Sequence, residues 1–440
     1  MIFEKSLALR TRFNKTISGG CHTYAKGDDQ YPEFYAPYIV RGAGCHIWDV
    51  DGNEYIEYGM GLRSVTLGHA YRPIVEAAYR QMQLGNNFLR PATIELEAAE
   101  AMLTFVPGAD MVKFAKDGSD VTTGAVKLAR AYTGRDMIAI CAQHPFFSVD
   151  DWFIGTTAVS AGIPQVIKDL TVKFNYNDMD SARALFAAHP GKIACFILEA
   201  ERETPPAPGF LQGLLALCHE NGALMILDEM ITGFRWHNGG AQAVHGIVPD
   251  LSTFGKALGN GFSIAALVGK REIMRLGGLD HDKERVFLIS TTHGAENHSL
   301  AAALATMTIY RTEPVIDTLN ARGERLAAGI RKSIAEHGLQ EYVSIMGKPC
   351  CLLYGTRGPD NKPSQPFRTL FLQETIKRGV LMPQLIVSYS HTEQDIDRTV
   401  ECVHESLAVY RKAIDEGIEK YLKGRPVAPV YRKYNSLQGV

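Results

Sequence analysis

Between Met111 and Gly269 the chain repeats one device, a short apolar run followed by a stretch with helical spacing. "MVKFA" leads into "VTTGAVKLARAY", and "DMIAIC", "IACFILEA", "ALMILDEM" and "IAALVG" are further runs. Ahead of "ALMILDEM" lies "LQGLLALCHENG", a helical pattern that stops on Asn-Gly. A strand that is apolar along its whole length must be covered on both faces. Such strands belong to mainly parallel sheets, whose crossover helices pack on either side. This pattern predicts an α/β fold and excludes an all-β or helical-bundle chain.

The flanking regions read differently. "GCHIWDVDGNEYIEYGMG" (44–61) alternates apolar and polar residues around Asp51-Gly52 and predicts a β-hairpin. "RPIVEAAYRQMQ" reads as a helix, as does "HSLAAALATMTIYRTE". Beyond it come charged helices, "LNARGERLAAGIRKSIAEHG" and "DIDRTVECVHESLAVYRKAIDEG", among a few strand-like runs. They predict a smaller α+β domain. The expected division is an N-terminal segment and hairpin over 1–75, a large domain over 76–314 and a C-terminal small domain over 315–440. The closing "GRPVAPVYRKYNSLQGV" is either a loose tail or an arm that contacts a partner.

The 440 residues are 46% hydrophobic with a net charge of -2. No basic stripe supports nucleic-acid binding, and no apolar run nears the roughly 18 residues that span a bilayer. The opening "MIFEKSLALRTRFNK" lacks the apolar core of a signal peptide. Eight cysteines are scattered without a CxxC pair, so neither a zinc knuckle nor a disulfide framework is indicated. A cytoplasmic protein without a metal centre is expected. "GAGCHI" lacks the third glycine of a dinucleotide fingerprint, "STFGKA" lacks the frame of a Walker loop, and no G-x-S-x-G elbow is present.

Three features carry chemistry. Lys256 stands in "PDLSTFGKALGNGF", between a strand-like run and glycines. Alone it reads as a surface turn lysine. Asp228 ends the apolar run "ALMILDE", where a carboxylate is costly unless a cation meets it. Alone it reads as half of a structural ion pair. "AKDGSDVTTGAVKLAR" places Gly118, Ser119 and Asp120 at a strand-to-helix junction, a phosphate site or a plain helix cap made by Ser119 or Asp120. Pyridoxal 5'-phosphate needs all three: an amine for its aldehyde, an acid for its ring nitrogen and a cradle for its phosphate.

"LDEMITGFR" followed by "FGKALGNGF" resembles the class III (ω-type) aminotransferases. With "WDVDGNEYIEY", "GHAYRPIVEA", "AVKLARAYTGRD", "PDLSTFGKALGNG" and "SHTEQDID", the likeness runs from about Gly19 to about Thr399 and is similar to the glutamate-1-semialdehyde aminomutases among them. The resemblance implies a pyridoxal-phosphate-dependent transferase of fold type I, with a seven-stranded sheet in its large domain. It implies a homodimer with shared active sites, acting on a small-molecule amino donor and carbonyl acceptor, with neither nucleic acid nor membrane as partner. Lys256 falls on the Schiff-base lysine, Asp228 on the acid at the ring nitrogen, and Gly118 and Ser119 on the phosphate turn. Thr292, with Thr291 as the other choice, falls on the threonine that reaches the neighbouring subunit's phosphate. Met230 falls where a valine usually packs on the ring, and Glu199 on a strand-end glutamate near the substrate.

The departures cluster at the substrate. "AQHPFFSVDDWF" replaces a Tyr-His pair, so Phe146 is expected to stack on the ring, with Phe147 and His144 as alternatives. Lys26 replaces an arginine that holds the substrate carboxylate in the aminomutases. Leu62, followed by Arg63, replaces a tryptophan, and the charged "EAERETPPAPGF" is shorter than its counterpart. These differences favour an aminotransferase over a semialdehyde aminomutase. A non-catalytic relative is the remaining alternative, opposed by the intact lysine, acid and phosphate turn.

Overall fold

A computed structural model describes residues 1–435. The chain divides into two units, one of Met1–Tyr71 with the chain from Asp317 onward, the other of Arg72–Ile316.

In the first unit, β1 (Ile39–Ala43), β2 (His46–Asp49) and β3 (Glu54–Glu57) run antiparallel in sequence order. The β2–β3 turn is fastened by the buried Asp49 carboxylate. It accepts the N–H of Asp51 and Asn53 at 3.0 and 2.8 Å and the Tyr55 hydroxyl at 2.7 Å. Gly52 supplies the left-handed backbone there (φ 87°).

The second unit holds the seven-stranded sheet. Its strands in chain order are β4 (Met111–Ala115), β5 (Met137–Cys141), β6 (Thr171–Phe174), β7 (Ile193–Leu198), β8 (Leu224–Asp228), β9 (Leu251–Phe254) and β10 (Ala265–Gly269). Their order across the sheet is β4-β10-β9-β8-β7-β5-β6. Every residue of β5, β7, β8, β9 and β10 is buried, while the two edge strands are partly exposed. That is the burial expected of apolar runs covered on both faces. Only β10 is reversed, antiparallel to both β4 and β9. Helix Gly118–Thr133 lays Val121, Ala125, Leu128 and Ala129 into the core beside Ile138, Ile197 and Ile226.

The first unit is completed by β11 (Val343–Met346) paired with β12 (Leu353–Thr356), by β13 (Val380–Leu381) parallel to β3, by helix Val315–Glu336 from Asp317 onward, and by helices Gln365–Lys377 and Glu393–Glu416. The closing segment is tied down through Ala428: Val427 N–H donates to Thr369 Oγ1 at 2.8 Å and Gln30 Nε2 to the Ala428 carbonyl at 2.9 Å. Residues 436–440 of the expected tail lie outside the described residues. No helix among the described residues is long and apolar enough to cross a membrane.

Candidate active site

Ligands of open parallel sheets bind beyond the carboxyl ends of the strands. Asp228 is the last residue of β8 and is buried. Its Oδ1 accepts the backbone N–H of Met230 at 2.9 Å and the hydroxyl of Thr253, on β9, at 3.2 Å. Burial raises the carboxyl to about 6, against the opposing pull of the nearby Lys256 ammonium and of those two donors. Thr253 is the orienting partner that sequence reasoning missed, because it reads as one more buried strand residue.

Lys256 follows β9 and opens a short turn over Lys256–Gly259. It has a left-handed backbone (φ 40°), a conformation that costs a residue with a side chain on the order of 1–3 kcal/mol. The turn thus holds a lysine where glycine would be easier, with its charge felt at Asp228.

Met230 joins the three sequence segments. A methyl added at Gly255 would lie 2.3 Å from Met230 Cε, and one at Gly118 would lie 2.8 Å from it. The thioether therefore lies against both the lysine turn and the start of helix Gly118–Thr133, and a side chain at either glycine would make it shift.

The start of that helix corrects one expectation. The cap is neither Ser119 nor Asp120 but Asp117, whose carboxylate accepts the N–H of both at 2.8 and 3.2 Å. Ser119 Oγ instead accepts the N–H of Val149 at 3.0 Å, which fastens the loop that carries Phe146. Within that loop Phe146 is 43% exposed, whereas Phe147 is 2% exposed and part of the core. His144 is buried, its ring pushed down to about 3 by burial and then by the Arg202 charge. Its Nδ1 accepts the Glu199 N–H at 3.0 Å. Of the three aromatic candidates, only Phe146 presents a ring to solvent.

Glu199 follows β7 and is buried, with Oε2 3.2 Å from Arg202 Nε. The charged loop after the strand is thus what holds this acid. Thr292 and Thr291 are exposed in the loop before helix Asn297–Thr312, where the Thr292 carbonyl accepts Asn87 Nδ2 at 3.0 Å. Neither threonine joins the residues around Asp228 through a hydrogen bond described for it.

Lys26 and Arg63 belong to the first unit. Lys26 is exposed on the turn Tyr24–Lys26 and lines a cavity of about 630 Å³ with Tyr31, Glu57, Leu62, His69 and Arg368. Glu57 and His69 Nε2 are 3.0 Å apart on its wall. Arg368, a second cation that sequence reasoning passed over, donates to the Pro383 carbonyl at 2.9 Å. Arg63 ends four consecutive left-handed residues, Met60, Gly61, Leu62 and Arg63 (φ 42°, 57°, 58° and 72°). Such a turn costs each non-glycine member roughly 1–2 kcal/mol. Elsewhere in this unit Cys45, His46 and Asp395 lie close enough to share a metal ion. Asp395 already closes the cap of helix Glu393–Glu416, its Oδ2 taking Thr392 N–H and Oγ1 at 2.8 and 2.7 Å.

A mostly parallel seven-stranded sheet with a buried acid at one strand end and a strained lysine at the next is the architecture of fold type I transferases. The class III aminotransferase family model matches residues 25–384, and the chain belongs to that family. It is 31% identical over 421 residues to the 3-aminobutyryl-CoA aminotransferase of Cloacimonas acidaminovorans (strain Evry), covering 93% of this chain and 98% of that one. It is 30% identical over 436 residues to the glutamate-1-semialdehyde 2,1-aminomutase of Geotalea daltonii, covering 92% and 99%. Among solved structures, the pyridoxal-phosphate-bound form of the Sphingopyxis sp. MTA144 FumI protein superposes with a TM-score of 0.84 at 29% identity, covering 94% of this chain and 97% of that one.

Proposed function

We propose that this aminotransferase binds pyridoxal 5'-phosphate through Lys256, Asp228, Met230, Phe146, Gly118 and Ser119, and moves an amino group from a small-molecule donor to a separate carbonyl acceptor. The observation that carries the reading is the buried Asp228 carboxyl beside a lysine held in a strained turn. An acid buried at that cost is suited to a cationic partner, and a protonated pyridine nitrogen is one. The cofactor, when bound, supplies an electron sink for the substrate's amino-bearing carbon. The chain supplies the rest. Asp228 Oδ keeps a proton on the ring nitrogen. Lys256 Nζ would hold the cofactor and would move a proton at the substrate carbon. Met230, which lies against both glycine turns, and the exposed ring of Phe146 would pack on the cofactor and limit the access of water to it.

Lys26 is the proposed reader of an anionic group on the substrate, with Arg63 as a second positive charge and Glu199 as the acid near the reacting end. A lysine is a point charge without the planar grip of arginine, so it reads carboxylate geometry less strictly. A screen of amino donors and carbonyl acceptors, followed by bleaching and recovery of the visible band, identifies the substrates. It also separates an aminotransferase, which needs an external acceptor, from the aminomutase reading. Lys26→Met is expected to weaken single-turnover efficiency with acidic substrates by roughly 10- to 150-fold, the value of one hydrogen bond to a charged group. It should leave the resting absorbance unchanged. Equal efficiency with every acidic donor and acceptor would show Lys26 to be a solvated surface charge.

The proposed assembly is a homodimer with Thr292 completing the neighbour's phosphate site. Supporting it, Val75, Tyr79 and Met82 form an exposed apolar stripe on helix Arg72–Gln83, continued by Leu84, Phe88 and Leu89. Exposed apolar area of this kind marks an interaction surface. Sedimentation at assay concentration is expected to show a dimer, and a fully active monomer would overturn the shared site. The proposed division is an N-terminal segment of the small domain over 1–75, a large cofactor-binding domain over 76–314 and a C-terminal small domain over 315–440. The proposed location is the cytoplasm, supported by eight cysteines scattered without a CxxC pair.

A further inference from the structure

The turn assigned to the cofactor phosphate already contains a charge of the same sign. Asp117 caps helix Gly118–Thr133 by accepting the N–H groups of Ser119 and Asp120. Those are donors that a helix start offers to an anion. Asp120 brings a second carboxylate, accepting the Lys116 N–H at 3.1 Å, and Asp150 a third, accepting the Thr123 hydroxyl. Like charge is felt among them, since the Asp120 carboxyl is raised first by burial and then by Asp117. The cation of the turn offers little relief. Lys116 Nζ is paired with Glu296, which also takes His293 Nδ1 at 3.1 Å.

The geometry points to Asp117 as a built-in electrostatic competitor for the cofactor phosphate, its carboxylate charge lying at the backbone N–H groups that the helix start would offer to that phosphate. This rests on the pyridoxal phosphate reading above. It assigns Asp117 a role beyond capping, that of setting how tightly the phosphorylated cofactor is held. An asparagine would cap the helix about as well and carry no charge. The competition therefore lies in the charge rather than in the cap.

The test compares pyridoxal phosphate with pyridoxal, which lacks the phosphate, as ligands of the cofactor-free wild type, Asp117→Asn and Asp117→Ser. Binding is read from the visible absorbance and from protein fluorescence, with activity left aside. Pyridoxal phosphate is expected to bind both variants roughly two- to thirty-fold more tightly than wild type, the effect of one charge at a helix start. Pyridoxal is expected to bind all three alike. The gap for pyridoxal phosphate should narrow as salt is raised, because screening weakens the repulsion. Thermal unfolding of the cofactor-free variants establishes that the cap persists. The same ratio of the two affinities in wild type and in both folded variants would overturn the role of Asp117. Failure of both compounds to reach Lys256 in all three proteins would overturn the cofactor reading beneath it.

Discussion

Asp228→Asn is expected to fold, to retain cofactor and to lose turnover by about 10³-fold or more, because it removes a preorganised charge at the centre of the chemistry. The fold should survive for a specific reason. Both hydrogen bonds described for the side chain, from Met230 N–H and Thr253 Oγ1, end on Oδ1, and an amide oxygen can accept them equally well. The amide cannot hold a proton on a ring nitrogen by charge. Slowed removal of the substrate proton, measured in single turnovers, checks the role, and near-normal turnover would contradict it.

The same substitution makes a prediction about stability. The Asp228 carboxyl sits at about 6 in the folded, cofactor-free chain against an ordinary 3.8. The folded state thus holds this proton more tightly than the unfolded chain does. Its contribution to stability is full below pH 3.8 and is lost as the pH rises through 6. Asp228→Asn should therefore raise the melting temperature of the cofactor-free protein near pH 8 and change it little near pH 4. The opposite pH trend would mean that the buried carboxylate is stabilised without the cofactor.

Strands β5, β7, β8 and β10 were legible because they are buried on both faces and almost wholly apolar, whereas the buried β9 carries Ser252 and Thr253, and β6 at the sheet edge was not read from the sequence. Their direction was less so: β10 is reversed, and an apolar run such as "IAALVG" reads alike either way. Asp228 and Lys256 stood out because each is a charged residue bordering such a run. The cap was not legible, since Asp117, Ser119 and Asp120 are all capping residues in adjacent positions and only the side-chain geometry chooses Asp117. Nor was the left-handed turn at Met60–Arg63, where methionine, leucine and arginine have no preference for that backbone and the surrounding fold imposes it. Arg368 was missed because it sits on a helix far along the chain from Lys26, whose cavity it shares.

Lys256 is the residue on which the proposed chemistry depends. Its strained backbone and its proximity to the Asp228 carboxyl single it out, whereas Lys116, the lysine beside the phosphate turn, is paired with Glu296. Lys256→Ala is expected to abolish turnover, since the neighbouring amine, Lys116, is held in an ion pair by Glu296. The direct measurement is borohydride reduction of the yellow, cofactor-loaded enzyme followed by peptide mapping. A pyridoxyl group on Lys256, absent from the Lys256→Ala protein, is the predicted result. A pyridoxyl group on another lysine, or a loaded wild-type enzyme that takes no label, would contradict it.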